Sequence, residues 1–227
     1  MDSLEILNPQ IHGELRLRRD FPLSNHFVRI VPSEFAAAAV ACPIFFSKHR
    51  ETGAFYPGAA LGLRPGELLV DRPDGKAAFE SLESVREGFF ATDDNISIDA
   101  AHSRFAAEDG HRLFEPDGAP APALRRIQSA LGALVVGTQE AEQFIAALLA
   151  HRLIEPLDIS LSFDDGEKLS LQGLFTVSLD RLQRLDDASV LALFREGHLQ
   201  LAYTMIGSLQ QVGILARRRN DRLTGTL

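Results

Sequence analysis

The chain of 227 residues has a single cysteine, Cys42. An intrachain disulfide is therefore excluded, and the cysteine content does not indicate an oxidising compartment. Cys42 follows an alanine-rich run and precedes Pro43, a context typical of a small buried hydrophobic residue and not of an activated thiolate.

Long apolar runs are also missing. The longest, at residues 130–137 and 144–150, fall well short of the roughly 18 apolar residues that a membrane-spanning helix requires. The first seven residues lack the basic and apolar regions of a signal peptide. We therefore expect a cytoplasmic protein that does not insert into a membrane.

Basic residues are fewer than acidic ones, 23 against 31, which gives a net charge of -8 and a pI of about 5.4. This balance argues against a nucleic-acid partner, because nucleic-acid-binding domains normally carry clustered Lys and Arg on a basic surface. The short basic runs at 16–19 and 217–219 are predicted to be solvated or to lie at a helix end.

The composition is that of a globular protein, with 45% hydrophobic and 24% charged residues. A chain of this length can bury roughly 70% of the surface that its unfolded form exposes, so it needs no metal or disulfide to fold. We predict one α+β domain over residues 1–227. A Pro/Ala-rich stretch near 116–122 separates a strand-rich part from a part with a long helix, a β-hairpin and C-terminal helices.

The first part has short elements separated by Pro and Gly turns. It predicts strands at 26–31, 44–48, 54–63, 68–70 and 96–99, and helices at 33–41 and 79–90, the first capped by Ser33. The segment at 49–53, between the second and third strands, is interpreted as a polar turn.

The second part has stronger periodicity. Apolar residues from 124 to 148 recur at steps of three and four, which predicts one helix from Pro122 to about residue 152, with a break at Gly137 as the alternative. Alternating residues at 157–163 and 169–177, joined by a polar turn, predict an amphipathic hairpin. Further helices are predicted after Ser178, from Asp186 or Asp187 to Gly197, and at 199–216.

Several segments resemble one protein family. They are LEILNP at 4–9, HFVRIV at 26–31, PIFF at 43–46, LGLRPGEL at 61–68, LIEPL at 153–157, LQGLF at 171–175 and SLQQV at 208–212. Together they resemble the SapC family over nearly the whole chain. The chain departs from the family pattern in having no tryptophan, and in reading Ile-Ser-Ile-Asp at 96–99 where relatives commonly read Leu-Cys-Ile-Asp.

The resemblance implies a role at the bacterial cell surface. The family takes its name from a gene linked to surface-layer protein transport, and its members are often encoded near TonB-dependent receptors and flavin-dependent tryptophan halogenase-like proteins. The permease label that members often carry is contradicted by the lack of spanning helices. We therefore expect a non-enzymatic accessory or binding protein with a protein or peptide partner and no cofactor. The alternative is a metal-dependent enzyme that modifies a peptide or protein in the same system.

Candidate catalytic and metal-binding residues are few. Ser97, Asp99 and His102 contain the residue types of a hydrolytic site, and His26 begins a predicted strand. Both candidates also have a structural interpretation. Residues of the types of Ser97, Asp99 and His102 lie close together by chance in most proteins. His26 can bond a neighbouring backbone carbonyl. A divalent metal could be held near one predicted strand by Asp93, Asp94, Asp99, His102 and His111, for which the alternative is a solvated acidic loop.

A partner surface is predicted on the long helix, at Phe144, Ile145, Leu148 and Leu149. An amphipathic helix of this kind can receive a partner or complete a homodimer. The alternative is that these side chains pack within the chain.

Overall fold

The computed structural model describes residues 4–19, 21, 25–71, 78–106 and 109–225. About 39% of the chain is helical and 24% is strand, which confirms the α+β class. The chain forms two compact units: unit 1 comprises Met1–Leu23 and Leu82–Val136, and unit 2 comprises Ser24–Ser81 and Gly137–Leu227. The single domain over residues 1–227 stays a prediction.

The elements are numbered in chain order over the described residues. The strands are β1 (Glu5–Ile6), β2 (Arg16–Leu17), β3 (Phe27–Arg29), β4 (Ile44–Lys48), β5 (Phe55–Ala60), β6 (Phe89–Thr92), β7 (Asn95–Ile98), β8 (Phe105–Ala106), β9 (His111–Arg112), β10 (Ile154–Ser162) and β11 (Lys168–Val177). The helices are α1 (Pro9–His12), α2 (Phe35–Ala39), α3 (Leu82–Val85), α4 (Pro122–Ala150), α5 (Leu179–Leu182), α6 (Asp187–Arg195), α7 (His198–Ser208) and α8 (Gln211–Leu223). Among these helices, none is both long and apolar enough to cross a membrane.

Unit 1 consists of two small antiparallel sheets, α1, α3 and the first part of α4. The sheets have the strand orders β1-β7-β6 and β8-β2-β9. Its core contains Leu17, Phe89, Ile98, Phe105, Leu113, Phe114, Leu124, Ile127 and Leu131. The last three lie on α4 at steps of three and four, so the apolar stripe read from the sequence covers this core.

Unit 2 is built on an antiparallel sheet of order β10-β11-β4-β5-β3. The inner strand β4 carries Phe45 and Phe46, both fully buried. Phe144, on the second part of α4, packs against Phe46 and Phe35 with ring centroids 5.9 and 6.0 Å apart. The second part of α4 therefore covers one face of this sheet.

The long helix α4 confirms the prediction made from its periodicity, and it is continuous through Gly137. A Cβ atom at this position would lie 2.6 Å from the Cβ of Val31. Gly137 is therefore the point where the segment that follows β3 approaches the helix closely, which only a residue without a side chain allows.

The hairpin of β10 and β11 is also confirmed, with one irregularity. Leu157 lies opposite Leu174 and Ile159 lies opposite Leu171, so two residues of β11 oppose the single residue Asp158. Gly173 adopts a φ of +74° at this bulge, a backbone conformation that favours glycine. Because of the extra residue, the period-2 pattern of β11 changes face there.

Other predictions for the first part had mixed outcomes. The strands predicted at 26–31, 44–48, 54–63 and 96–99 are confirmed as β3, β4, β5 and β7. The helix predicted at 33–41 is shorter, because residues Pro32–Glu34 form a 3-10 turn and α2 begins at Phe35. The Glu34 carboxylate, and not Ser33, accepts the hydrogen bond at its start, from the N–H of Val31 at 2.9 Å.

The helix predicted at 79–90 is wrong over most of its length. Only Leu82–Val85 is helical, and Phe89–Thr92 is strand β6. Gly88 adopts a φ of +83° between them, which a continuing helix does not allow. Fully buried Phe89 then enters the core of unit 1, so burial in a sheet outweighs helix propensity in this segment.

The structure differs from three further predictions. The predicted helix at 199–216 is two helices, α7 and α8. Residues 68–70 form no strand, and their backbone instead bonds α8: the Leu69 carbonyl accepts from Arg218 at 2.7 Å, and the Leu68 carbonyl accepts from Arg222. The prediction that the basic run at 217–219 is solvated is wrong for Arg219, which is only 6% exposed.

Candidate functional site

Two adjoining cavities of unit 2 form a cleft beside the end of its sheet. The first, of about 590 Å³, is lined by Phe27, Arg29, Ser47, Lys48, His49, Arg50, Glu51 and Tyr56. The second, of about 210 Å³, adds residues of α4, Glu142 among them. Arg29, His49 and Tyr56 line both cavities, so we name these lining residues together the cationic cleft.

Strand register brings the cleft residues together. Arg29 lies opposite Gly58 in the pairing of β3 with β5, and Ser47 lies opposite Tyr56 in the pairing of β4 with β5. Since residues that face each other across antiparallel strands share a face, and alternate residues of one strand do too, Arg29, Ser47, Tyr56 and Phe27 point to the same side of the sheet. Three strands therefore contribute to one surface.

Gly58 makes room for the aromatic wall of the cleft. A Cβ atom at Gly58 would lie 2.4 Å from the Cζ atom of Phe27, so the Phe27 ring lies directly over the glycine. The ring also packs against Tyr56 in an edge arrangement, with centroids 6.5 Å apart. Phe27 and Tyr56 are each half-buried, which leaves part of both rings accessible to a ligand.

The cleft carries positive charge that the described residues do not neutralise. Across the described ranges, Arg29, Lys48 and Arg50 are exposed and none forms an ion pair, although the cleft also contains Glu51 and Glu142. Some other arginines of the chain are paired, as Arg86 is with Glu83. This surface therefore has an excess of cations on a protein of net charge -8.

Aromatic rings hold two of these cations in place. The Arg29 Cζ atom lies 5.8 Å from the centroid of Tyr56. The Lys48 Nζ atom lies 4.7 Å from the centroid of Phe55 and 5.0 Å from that of Phe175. Cation–π contacts of this kind orient a side chain without neutralising it. Chemically, the arrangement can attract a carboxylate or phosphate and bond it through a guanidinium group.

The predicted catalytic residues are divided between the units. His26, in unit 2, uses its backbone carbonyl to accept from the N–H groups of Leu61 and Gly62 at 2.7 and 3.1 Å. Asp99 and His102 lie together in unit 1, where the Asp99 carbonyl accepts from the His102 N–H at 2.9 Å. The Asp99 carboxylate bonds the N–H of Ala101 at 3.1 Å, as in an Asx turn.

The His102 ring has its own partners. Its Nδ1 atom accepts from the N–H of Arg104 at 3.2 Å, so the neutral ring carries its proton on Nε2. Nε2 lies 3.7 Å from an oxygen of Glu87, beyond hydrogen-bond distance. The Phe21 ring packs beside the His102 ring, with their centroids 5.7 Å apart. The nearby Ser97 is buried on β7, at 3% exposure.

The predicted metal ligands lie in exposed parts of unit 1. Asp93 and Asp94 form the turn between β6 and β7, and Asp93 adopts a φ of +49° there. His111 is exposed on β9. Over the residues that the structure describes, no three His, Cys, Asp or Glu side chains lie close enough together to share a metal ion.

Cys42 is buried, as its sequence context predicted. Burial raises the pKa of its thiol to about 12, so the sulfur stays protonated at neutral pH. The Sγ atom donates a hydrogen bond of 3.4 Å to the carbonyl of Ala38. This thiol is therefore a packing group.

The predicted partner surface on α4 is mostly inside the chain. Phe144 and Leu148 are fully buried and Ile145 is 8% exposed, whereas Leu149 is 48% exposed. Phe144, Ile145 and Leu148 therefore pack within the chain, which was the alternative to a partner surface. The reason is the rotation of the helix, which turns one stripe toward β4 and α2 and leaves Leu149 outside it.

The cationic cleft was missed by sequence reasoning. Its signal was the run Lys48-His49-Arg50, which is unusually basic for this acidic chain, but Lys48 was assigned to a strand and residues 49–53 to a polar turn. Arg29 gave no signal of its own, because its neighbours in the cleft come from strands that are distant in sequence.

Comparison with known proteins identifies a family. The model of the family described as SapC matches residues 7–215. No curated protein and no solved structure matches the chain significantly.

Proposed function

Because the chain belongs to the SapC family, we propose that it is a non-enzymatic accessory protein of a bacterial surface-layer or TonB-dependent outer-membrane receptor system. It acts in the cytoplasm and binds a protein or peptide of that system. The family resemblance supports the choice of system, and the molecular surface of unit 2 supports binding as the activity.

The cationic cleft is the observation that carries this proposal. Arg29, Lys48 and Arg50 are exposed beside half-buried aromatic rings, and the described carboxylates leave them unpaired. Ligand sites combine apolar walls with a few polar groups that fix orientation, and this cleft has both. An anionic partner would gain charge-assisted bonds there, because no described carboxylate already pairs with these cations.

The test is recovery of the partner from the host. The tagged chain is purified from its own organism, and the intact eluate is weighed by native mass spectrometry. We expect a stoichiometric protein or peptide partner that is lost from the Lys48→Glu/Arg50→Glu variant, since charge reversal repels an anionic partner.

The matched control is Arg184→Glu, which changes an exposed arginine of unit 2 outside the cleft. It should retain the partner, and circular dichroism should show that all variants are folded. A chain that carries a stoichiometric metal and no partner would contradict the proposal. That result would favour the metal-dependent enzyme, and His26, Asp99 and His102 would be replaced next.

A further inference from the structure

Strand β3 forms one edge of the sheet of unit 2, next to the cationic cleft. The N–H of Ile30 donates to the carbonyl of Pro57, and the carbonyl of His26 accepts bonds from the residues that follow β5. Backbone groups alternate in direction along a strand, so those of Phe27 and Arg29 point away from β5. In the part of the chain that the structure describes, nothing hydrogen-bonds to them.

Two open residues at a sheet edge are a template for another strand. An added chain in the extended conformation satisfies such donors and acceptors with its own backbone. The side chains of the same two residues, Phe27 and Arg29, line the larger cavity of the cleft. A ligand that pairs with this edge therefore lies beside Arg29 and the mouth of that cavity.

Charge and aromatic content narrow the class of ligand. Arg29 and Arg50 select for negative charge, while Phe27 and Tyr56 offer apolar contact. A peptide with carboxylates next to apolar side chains matches both features and also brings backbone groups for the open edge. A nucleic acid matches the cations only, because it has no peptide N–H and C=O groups to pair with the open edge of β3.

We propose that an extended acidic peptide segment pairs with the outer edge of β3 and places its carboxylates against Arg29 and the part of the cavity that Arg50 lines. This inference rests on the proposed binding function and names the class of ligand that the cleft accepts. Backbone pairing supplies affinity for any extended chain, and the cations supply the preference for acidic sequence.

Fluorescence anisotropy of labelled ten-residue peptides tests the proposal on the full chain. The peptide of alternating Glu and Val should bind, and its affinity should fall as NaCl is raised from about 0.05 to 0.3 M. The matched Lys and Val peptide should bind at least about tenfold more weakly. The Glu and Val peptide with N-methylated central amides should also lose at least about tenfold, because methyl groups block strand pairing.

Variants locate the site. Arg29→Glu and, separately, Arg50→Glu should each weaken the acidic peptide by about tenfold or more, and Arg184→Glu should leave it unchanged. Equal binding of the N-methylated or the Lys peptide would overturn the proposal. So would equal displacement of the peptide by inorganic phosphate, or binding of an oligodeoxythymidine with the same dependence on Arg29.

The two proposals fail differently. A host partner that is retained by Arg29→Glu, with no binding of the acidic peptide, overturns this inference and leaves the accessory function standing. Peptide binding that depends on Arg29, with no partner recovered from the host, supports the ligand class and counts against the proposed host function.

Discussion

Ser208 is a buried polar residue that joins α7 to β4 in unit 2. Its Oγ atom accepts a hydrogen bond of 2.9 Å from the N–H of Ile44 and donates one of 2.6 Å to the carbonyl of Met205. The side chain is 1% exposed and Ile44 is fully buried, so water has no access to replace either bond. The Ser208 hydroxyl therefore provides a hydrogen-bond acceptor for the Ile44 N–H, which is buried away from water.

Replacing Ser208 with alanine should destabilise the fold. The Ile44 N–H would remain buried without an acceptor, which costs about 1–3 kcal/mol of unfolding free energy. Denaturant unfolding followed by circular dichroism measures the change. Ser160→Ala, at an exposed position of β10, is the control and should stay within about 0.5 kcal/mol of the unmodified chain. Equal effects of the two variants would show that the bond to Ile44 contributes nothing.

Two glycines of α4 differ in what surrounds them. An added Cβ at Gly132 would meet nothing within 4 Å, whereas one at Gly137 would lie 2.6 Å from Val31. Both residues lie inside the same continuous helix, so the helix propensity of an alanine is gained equally at each. The surroundings alone decide the sign of the net effect.

The pair of alanine variants tests this packing. Gly132→Ala should stabilise the chain by up to about 1 kcal/mol through helix propensity. Gly137→Ala should instead destabilise it, because overpacking of about 1–3 kcal/mol opposes the same gain. Thermal and urea unfolding measure both. A stabilising Gly137→Ala would contradict the contact with Val31.

Two elements that the sequence predicted well, α4 and the hairpin of β10 and β11, have many repeats of one period. The α4 stripe continues from Leu124 to Leu148 at steps of three and four, and the hairpin alternates over two strands, so tertiary context adds little. The segment 79–90 has no such support, and the burial of Phe89 decides its conformation. Length of pattern therefore explains why α4 and the hairpin could be predicted from local sequence and residues 79–90 could not.

The cleft could not be predicted, for a related reason. Arg29 and Ser47 line one cavity only because β3 and β4 both pair with β5, and strand order is not visible in local periodicity. Gly58 and Pro57 mark β5 as unusual, but they do not reveal which strand lies beside it. A site made of side chains from separate strands depends on register, which a single sequence leaves open.

At the scale of the whole chain, Arg219 links the last helix, α8, to two segments that are distant in sequence. Arg219 of α8 lies 2.7 Å from a carboxylate oxygen of Glu167 and 3.4 Å from one of Glu67. Its Cζ atom lies 4.4 Å from the ring centroid of Phe163. Arg64 forms a further ion pair with Glu167. One buried guanidinium thus joins α8 both to the turn of the hairpin and to a segment about 150 residues upstream.

Arg219→Met should therefore loosen unit 2 as a whole. The substitution keeps much of the apolar volume over Phe163 but leaves Glu67 and Glu167 short of a cation. Both glutamates remain partly exposed, so we expect a loss of about 1–3 kcal/mol, less than for a fully buried pair. Urea unfolding gives the magnitude, and hydrogen exchange should show increased opening of α8 and residues 64–71. Arg217→Met, two positions earlier and exposed, removes the same charge without these contacts and should change stability by less than about 0.5 kcal/mol. If the two variants behaved alike, overall charge and not the buried ion pairs would account for the effect.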